Sequence, residues 1–138
     1  VLTRRKECVL IDMEAGVEHF GRGTVEAVDL LIVVVEPGSR SFQTARQIER
    51  LARELGIARI AVVANKVDSA ADEAFVREQA RDFELLASLP TDPDIRASDR
   101  FGRCCYDLSE AVRERARAFA ATVLRQIAID KRSTSCVS

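Results

Sequence analysis

The sequence contains few cysteine, proline, glycine or aromatic residues, and its positive and negative charges nearly balance. Of its 138 residues only 4 are Cys, 3 are Pro and 6 are Gly, and 5% are aromatic. These small numbers exclude a disulfide scaffold and a collagen-like or low-complexity chain. With 21 basic and 22 acidic residues, the chain lacks the basic excess of an electrostatic nucleic-acid binder, so no nucleic-acid partner is expected.

Long hydrophobic segments are also absent. The longest strongly apolar run, residues 30–35, is far shorter than the roughly 20 residues that span a bilayer. No signal-peptide pattern opens the sequence, so we expect a cytoplasmic protein without a membrane partner. The first residue is Val1 instead of Met, which leads us to expect either a fragment of a longer protein or a numbering that omits the true start.

Four short apolar runs are present, and each ends in a polar or turn-forming group. They cover residues 8–11, 30–35, 57–64 and 83–89. Continuous runs of this length are typical of strands that are buried on both faces of a parallel sheet. Cys8, inside the first run, is accordingly expected to be a buried small hydrophobic residue.

Helical patterns lie between and after these runs. Residues 45–55 repeat apolar side chains at helical spacing, with Ser39 or Ser41 as the expected N-cap and Gly56 as the expected end. A shorter helix is expected over 70–81, and a last one after a capping box at 107–110. Alternating strands and helices predict an α/β fold with a parallel sheet. We expect one domain over residues 1–129 and a disordered tail over 130–138.

Ligands of such folds bind beyond the carboxyl ends of the strands, so the turns after the four runs are the candidate site. Asp12, directly after the first run, can hold Mg²⁺ through water, because Mg²⁺ keeps part of its hydration shell. Gly16 lets the backbone approach a phosphate. The alternative is that Asp12 only caps its loop.

Asn65, Lys66 and Asp68 follow the third run and form a second candidate. An Asn and an Asp after a strand can pair with the edge of a purine, while the Lys stem packs on the ring. The alternative is a helix N-cap, which Asp68 or Ser69 would provide equally well.

Other segments are interpreted without a binding role. Residues 16–24 imitate the phosphate-binding motif G-x-x-x-x-G-K-[ST], but Arg replaces its Lys and an extra Gly intervenes, so we expect a loop. The adjacent Cys104 and Cys105 are not expected to bind one metal, because their side chains diverge. The only histidine, His19, is interpreted as solvated. Four arginines of the last helix are interpreted as a solvated face: Arg113, Arg115, Arg117 and Arg125.

The string DMEAG at residues 12–16, continued by VEHFGRGT through residue 24, resembles the segment after the Walker B strand in one ATPase family. This family is that of the nickel-insertion ATPases (CooC type) that mature carbon monoxide dehydrogenase, which are similar to the MinD/ParA deviant P-loop ATPases. Three further pieces agree in order: VDLLIVVVEPGSRSFQTA, LGIARIAVVANKV and LPTDPDIRASDRFG. The resemblance covers residues 5–128. It implies a three-layer, parallel-sheet P-loop NTPase fold of the SIMIBI type, truncated to its C-terminal half and lacking the Walker A strand.

The resemblance also implies an ATPase that dimerises around two Mg·ATP and couples hydrolysis to metal delivery or partner release. By position, Asp12 matches the Walker B carboxylate, which holds Mg²⁺ through water, and Gly16 matches the switch glycine that faces the γ-phosphate. Asn65 matches the residue that hydrogen-bonds adenine.

Further positions follow from the same resemblance. Three residues lie in the stretch that passes along the base: Pro90, Thr91 and Asp92. Lys66 and Asp68 complete an NKxD pattern that is better known from GTPases, so the choice between ATP and GTP stays open. The implied partners are a second copy of the chain or an N-terminal half, and carbon monoxide dehydrogenase as the client.

Two family motifs are missing from the 138 residues: G-x-x-x-x-G-K-[ST] and the nickel-binding Cys-x-Cys. We therefore expect that the chain alone neither binds ATP tightly nor hydrolyses it. The strands at 8–11 and 30–35 would each lack the Walker A strand between them, so we expect them to re-pair, to leave the chain marginally stable, or to need an N-terminal partner.

Three other interpretations stay open besides the metallochaperone. The first is a non-catalytic remnant or binding module that pairs with a related ATPase. The second is a receiver-like signalling domain phosphorylated on Asp12, although no acidic pair precedes Cys8. The third is a septum-site or partition ATPase, although the tail after residue 129 is short and polar for a membrane-binding helix.

Overall fold

The computed structural model describes residues 8–13 and 28–133. It contains a parallel sheet in the order β1–β2–β3, formed by β1 (Leu31–Val35), β2 (Ile60–Asn65) and β3 (Glu84–Leu89). The helices are α1 (Ser39–Glu54), α2 (Ala70–Gln79), α3 (Pro93–Phe101), α4 (Cys105–Leu108) and α5 (Glu110–Ser133). The predicted α/β fold with a parallel sheet is thus confirmed, and three of the four apolar runs form its strands.

The register brings the carboxyl ends of the three strands to one edge of the sheet. Val35 at the end of β1 pairs with Ala64, and Asn65 at the end of β2 pairs with Leu89 at the end of β3. An irregularity between Val62 and Val63 leaves one extra residue in β3, a bulge that shifts the later part of that strand by one position.

One face of the sheet packs against α1 and α2. Phe42, Ala45 and Ala52 of α1 are fully buried, and they repeat at the spacing of one helix face. The rings of Phe42 and Phe75 meet edge to face with centroids 6.1 Å apart. This cluster, which includes Val76 of α2, is the hydrophobic core that fixes both helices on the sheet.

The opposite face of the sheet is covered unevenly. On β2 the alternate side chains Ala61 and Val63 are also buried, as expected for a central parallel strand. α5 contacts β3, and Arg59 donates to the Gln126 carbonyl oxygen over 2.9 Å. On β1, by contrast, Val34 is 63% exposed, so the expectation that this run is buried on both faces is wrong for β1.

The first apolar run does not form a strand. Residues 8–13 have no helix or strand assignment, Val9 and Leu10 are 80% and 88% exposed, and Cys8 is exposed as well. The expected buried strand and buried Cys8 are therefore wrong. Strand hydrogen bonds need a neighbouring strand, and within residues 8–13 and 28–133 the sheet ends at β1. The expected re-pairing of this run with β1 does not occur.

The helix ends differ in part from the expectations. Gly38, rather than Ser39 or Ser41, is the N-cap of α1, whereas Gly56 follows its end with φ of 86° as expected. The Ser109 hydroxyl accepts from Val112 N–H at the start of α5, so Asp107 is not the cap. The boundary expected after residue 129 falls inside α5, and residues 134–138 lie outside the described residues.

Among the helices of residues 28–133, none combines the length and the hydrophobicity that crossing a bilayer requires.

Candidate functional site

Three of the four candidate turns gather at one edge of the sheet. We use the term rim for residues 36–38, 66–68 and 90–92, which follow β1, β2 and β3. The ladder between β2 and β3 continues into the rim, because Val67 N–H donates to the Leu89 carbonyl oxygen over 3.0 Å. The sequence prediction that these turns share one edge is thereby confirmed for the three.

Lys66 connects the turns after β1 and β2. Its Nζ lies 2.5 Å from Oε1 of Glu36, and its backbone is left-handed with φ of 58°, a conformation that is uncommon outside glycine. Both side chains are more than half exposed, so the ion pair adds less than about 1 kcal/mol. Glu36 N–H also donates to the Ser41 hydroxyl over 3.0 Å, which ties this turn to α1.

Asp68 connects the turns after β2 and β3. Its Oδ1 accepts from Thr91 N–H over 2.7 Å, and its Oδ2 accepts from the Thr91 hydroxyl over 2.6 Å. The hydroxyl first, and then the backbone N–H, lower the pKa of Asp68 below its ordinary value of 3.8, because both bonds favour the ionised carboxylate.

The start of α2 is capped by Ser69 and not by Asp68. The Ser69 hydroxyl accepts from Asp72 N–H, and the Asp72 carboxylate accepts from Ser69 N–H over 3.0 Å, which together form a capping box. The same carboxylate accepts from Asp68 N–H over 3.2 Å. The capping alternative therefore applies to Ser69, and the Asp68 carboxylate is left for Thr91.

Asn65 is the last residue of β2 and is half-buried. Within the described part of the chain its side-chain amide has no hydrogen-bond partner. An amide that carries both donors and an acceptor at this edge has the chemistry needed to pair with a purine. Pro90, on the neighbouring turn, is exposed.

Asp92 is buried and serves two elements at once. Its Oδ1 accepts from the N–H groups of Asp94 and Ile95 over 2.7 and 3.2 Å, which caps α3. Its Oδ2 is ion-paired with Arg115 of α5. Arg115 is exposed, as the interpretation of a solvated face expects, but its guanidinium also pairs with Asp92, a contact which that interpretation did not include.

The remaining candidates lie outside this arrangement. Asp12 is exposed, and no hydrogen bond or ion pair joins it to another described residue. Gly16, the Gly-rich loop and His19 fall outside the described residues. Cys104 is exposed and Cys105 is half-buried, and residues 8–13 and 28–133 contain no group of three or more His, Cys, Asp or Glu side chains placed to hold a metal.

Two features of the rim were not anticipated from the sequence. α3 begins with Pro93 directly after the capping Asp92, and this Asp-Pro pair is a recognised signal for a helix start. The contact between Arg115 and Asp92 has no comparable signal, because it depends on how α5 crosses the sheet.

No protein-family model matches the chain. Among curated proteins it is 59% identical over 127 residues to the carbon monoxide dehydrogenase accessory protein CooC of Rhodospirillum rubrum, an alignment of 92% of this chain and 48% of that protein. It is 36% identical over 121 residues to an uncharacterized ATP-binding protein of Methanocaldococcus jannaschii, with 86% and 47% covered. A second such protein of the same organism is 36% identical over 113 residues, with 79% and 44% covered. The chain spans about half the length of the curated relatives it matches.

Proposed function

Since this chain corresponds in sequence to the C-terminal part of the CooC-type carbon monoxide dehydrogenase accessory proteins, we propose that it supplies the base-side part of an ATP-binding site. The complete assembly would be an ATPase that acts in the maturation of carbon monoxide dehydrogenase. The observation that carries this proposal is the rim, where residues from three strand ends are linked by direct hydrogen bonds and an ion pair.

The rim offers suitable chemistry for a purine nucleotide. The amide of Asn65, which precedes the rim at the end of β2 and has no partner among the described residues, is assigned to the adenine edge, and the Lys66 stem is assigned to the ring. The turn that contains Pro90 and Thr91 would pass along the base. Two relatives described as ATP-binding proteins support this assignment.

Mg²⁺ and the phosphates are assigned to residues 12–16, which follow the first apolar run. The Asp12 carboxylate is exposed and carries no competing hydrogen bond from another described residue, which fits a Mg²⁺ ligand that acts through water. When bound, Mg²⁺ would neutralise charge on the triphosphate. Gly16 is proposed to face the γ-phosphate.

Insertion of nickel into carbon monoxide dehydrogenase is the finer part of the proposal. It rests on the family resemblance alone, since the name of the Rhodospirillum rubrum relative states only an accessory role for carbon monoxide dehydrogenase. We assign no nickel ligand on this chain, because its sequence contains no Cys-x-Cys. The metal would be cargo for another part of the assembly, which we propose to be a homodimer or a pair with an N-terminal half.

A second candidate is a non-catalytic module that pairs with a related ATPase. It is favoured by the edge of β1, which pairs with no strand other than β2 in the part of the chain that the structure describes. An unpaired apolar strand edge is a surface on which another polypeptide can add a strand.

The test uses this chain with and without the part of the Rhodospirillum rubrum protein that precedes the matched region. A fluorescent ATP analogue and phosphate release would measure binding and Mg²⁺-dependent hydrolysis. We expect neither from the chain alone and both from the mixture. Asn65→Ala should weaken binding by the mixture about tenfold, whereas Gln47→Ala, on the exposed face of α1, should leave it unchanged.

Two outcomes would decide against the proposal. Tight nucleotide binding by the chain alone would show that its site is complete without the second polypeptide. A mixture that co-purifies as a complex but binds no nucleotide would favour the non-catalytic module.

A further inference from the structure

The Asp68 carboxylate invites two different interpretations. In the NKxD pattern it would read the base directly, through two acceptor oxygens directed at paired donors such as those of guanine. In the structure both oxygens already accept from one residue, Thr91, over 2.7 and 2.6 Å. A base that approached the same oxygens would have to compete with two short hydrogen bonds to an ionised group.

The surrounding contacts fix Asp68 in this orientation. Its own N–H donates to the Asp72 carboxylate within the α2 capping box. On the other side, Val67 N–H is bonded to the Leu89 carbonyl oxygen. Thr91 is therefore held to the turn after β2 by its two bonds to Asp68, while the ladder bond at Val67 holds Leu89, two residues earlier, to the same turn.

We propose that Asp68 is a positioning residue that fixes the turn 90–92 against the end of β2, and that it does not read the base. This inference rests on the proposed function, because it concerns the same nucleotide site. Recognition of the base then falls to Asn65 and to the backbone of the turn. Removal of the Asp68 carboxylate would loosen that turn and weaken adenine and guanine nucleotides alike.

The first test needs no nucleotide. Amide hydrogen exchange measured by NMR on the 138-residue chain reports directly on Thr91 N–H. We expect Asp68→Ala to speed exchange of this amide about tenfold, because its acceptor is lost. Asp68→Asn should lie between wild type and Asp68→Ala, since its amide oxygen can accept from Thr91 N–H and its NH₂ can donate to the hydroxyl.

A matched control and a double variant sharpen this test. Asp82→Asn also removes one exposed carboxylate, and it should leave Thr91 exchange unchanged. Asp68→Ala combined with Thr91→Val should exchange no faster than Asp68→Ala alone, because the two side chains act through one contact. An unchanged Thr91 amide in Asp68→Ala, or fully additive effects, would overturn the proposal.

The second test separates positioning from base reading. Fluorescent ADP and GDP analogues are titrated into the mixture of this chain with the N-terminal part of the Rhodospirillum rubrum relative. A positioning role predicts that Asp68→Ala weakens both nucleotides by the same factor, about tenfold, and that Asp68→Asn weakens both less. Selective loss of the GDP analogue would show that Asp68 reads guanine and would overturn the proposal. If the wild-type mixture binds neither nucleotide, the proposed function fails, while the exchange measurements still decide the role of Asp68.

Discussion

The guanidinium of Arg115 on α5 is ion-paired with the buried carboxylate of Asp92 at the start of α3. The Asp92 side chain is 6% exposed and that of Arg115 is 43% exposed, so the pair lies at the boundary between the rim and solvent. Because Asp92 also caps α3, one carboxylate joins the turn 90–92 to two helices. α5 is thereby coupled to the rim through a charge contact.

Arg115→Ala should lower the free energy of unfolding by about 2 kcal/mol, because it leaves a buried carboxylate without its cation. Urea denaturation of the chain measures this change. Arg117→Ala is the matched control, since Arg117 is 65% exposed and lies 3.9 Å from Glu110. Its effect should stay below about 0.5 kcal/mol. Equal effects of the two variants would show that the contact with Asp92 adds nothing to stability.

The contact between Asp68 and Thr91 should be lost in acid. Because hydrogen bonds from Thr91 lower the pKa of Asp68, the stabilisation is complete above the pKa of the unfolded chain and is lost as pH falls through the lower folded value. Carboxyl ¹³C NMR should give a midpoint for Asp68 below 3.8. In Thr91→Val the midpoint should rise, because the hydroxyl is the largest cause of the shift. An identical midpoint in both proteins would contradict this assignment.

The sheet could be predicted from the sequence because its strands carry a strong local signal. The apolar runs at 30–35, 57–64 and 83–89 are continuous and bounded by turn-forming residues, and each became a strand with small shifts at its ends. Parallel pairing then dictates that the turns after these strands share an edge. The position of the three rim turns at one edge of the sheet follows from this rule without any knowledge of side-chain contacts.

What could not be predicted depends on neighbours distant in sequence. The run at 8–11 has the composition of a strand, yet it has no neighbouring strand among the described residues and remains exposed. The contact of Arg115 with Asp92 depends on where α5 crosses β3. The two bonds from Thr91 to Asp68 depend on the register of β2 and β3, and the extra residue in β3, opposite the step from Val62 to Val63, shifts that register by one position.

Gly56→Ala should destabilise the chain by about 1 kcal/mol. Gly56 ends α1 with φ of 86°, a conformation that a Cβ atom disfavours, although nothing lies within 4 Å of the position it would occupy. Gly56→Asn is the control, because asparagine adopts the left-handed region more readily than alanine, so it should lose less stability. Thermal unfolding should separate the two variants. An equal loss in both would contradict the backbone argument.

The exposed face of β1 should make the isolated chain self-associate. Val34 is 63% exposed, and the outer edge of β1 pairs with no strand in the described part of the chain. Apolar edges of this kind act as templates for further strands. Val34→Lys should therefore reduce light scattering at high protein concentration severalfold, with a change in unfolding free energy below about 0.5 kcal/mol. Leu124→Lys is the matched control, because Leu124 is 50% exposed on α5 and lies away from the strand edge. Equal reductions by both variants would show that general surface hydrophobicity, and not the β1 edge, drives association.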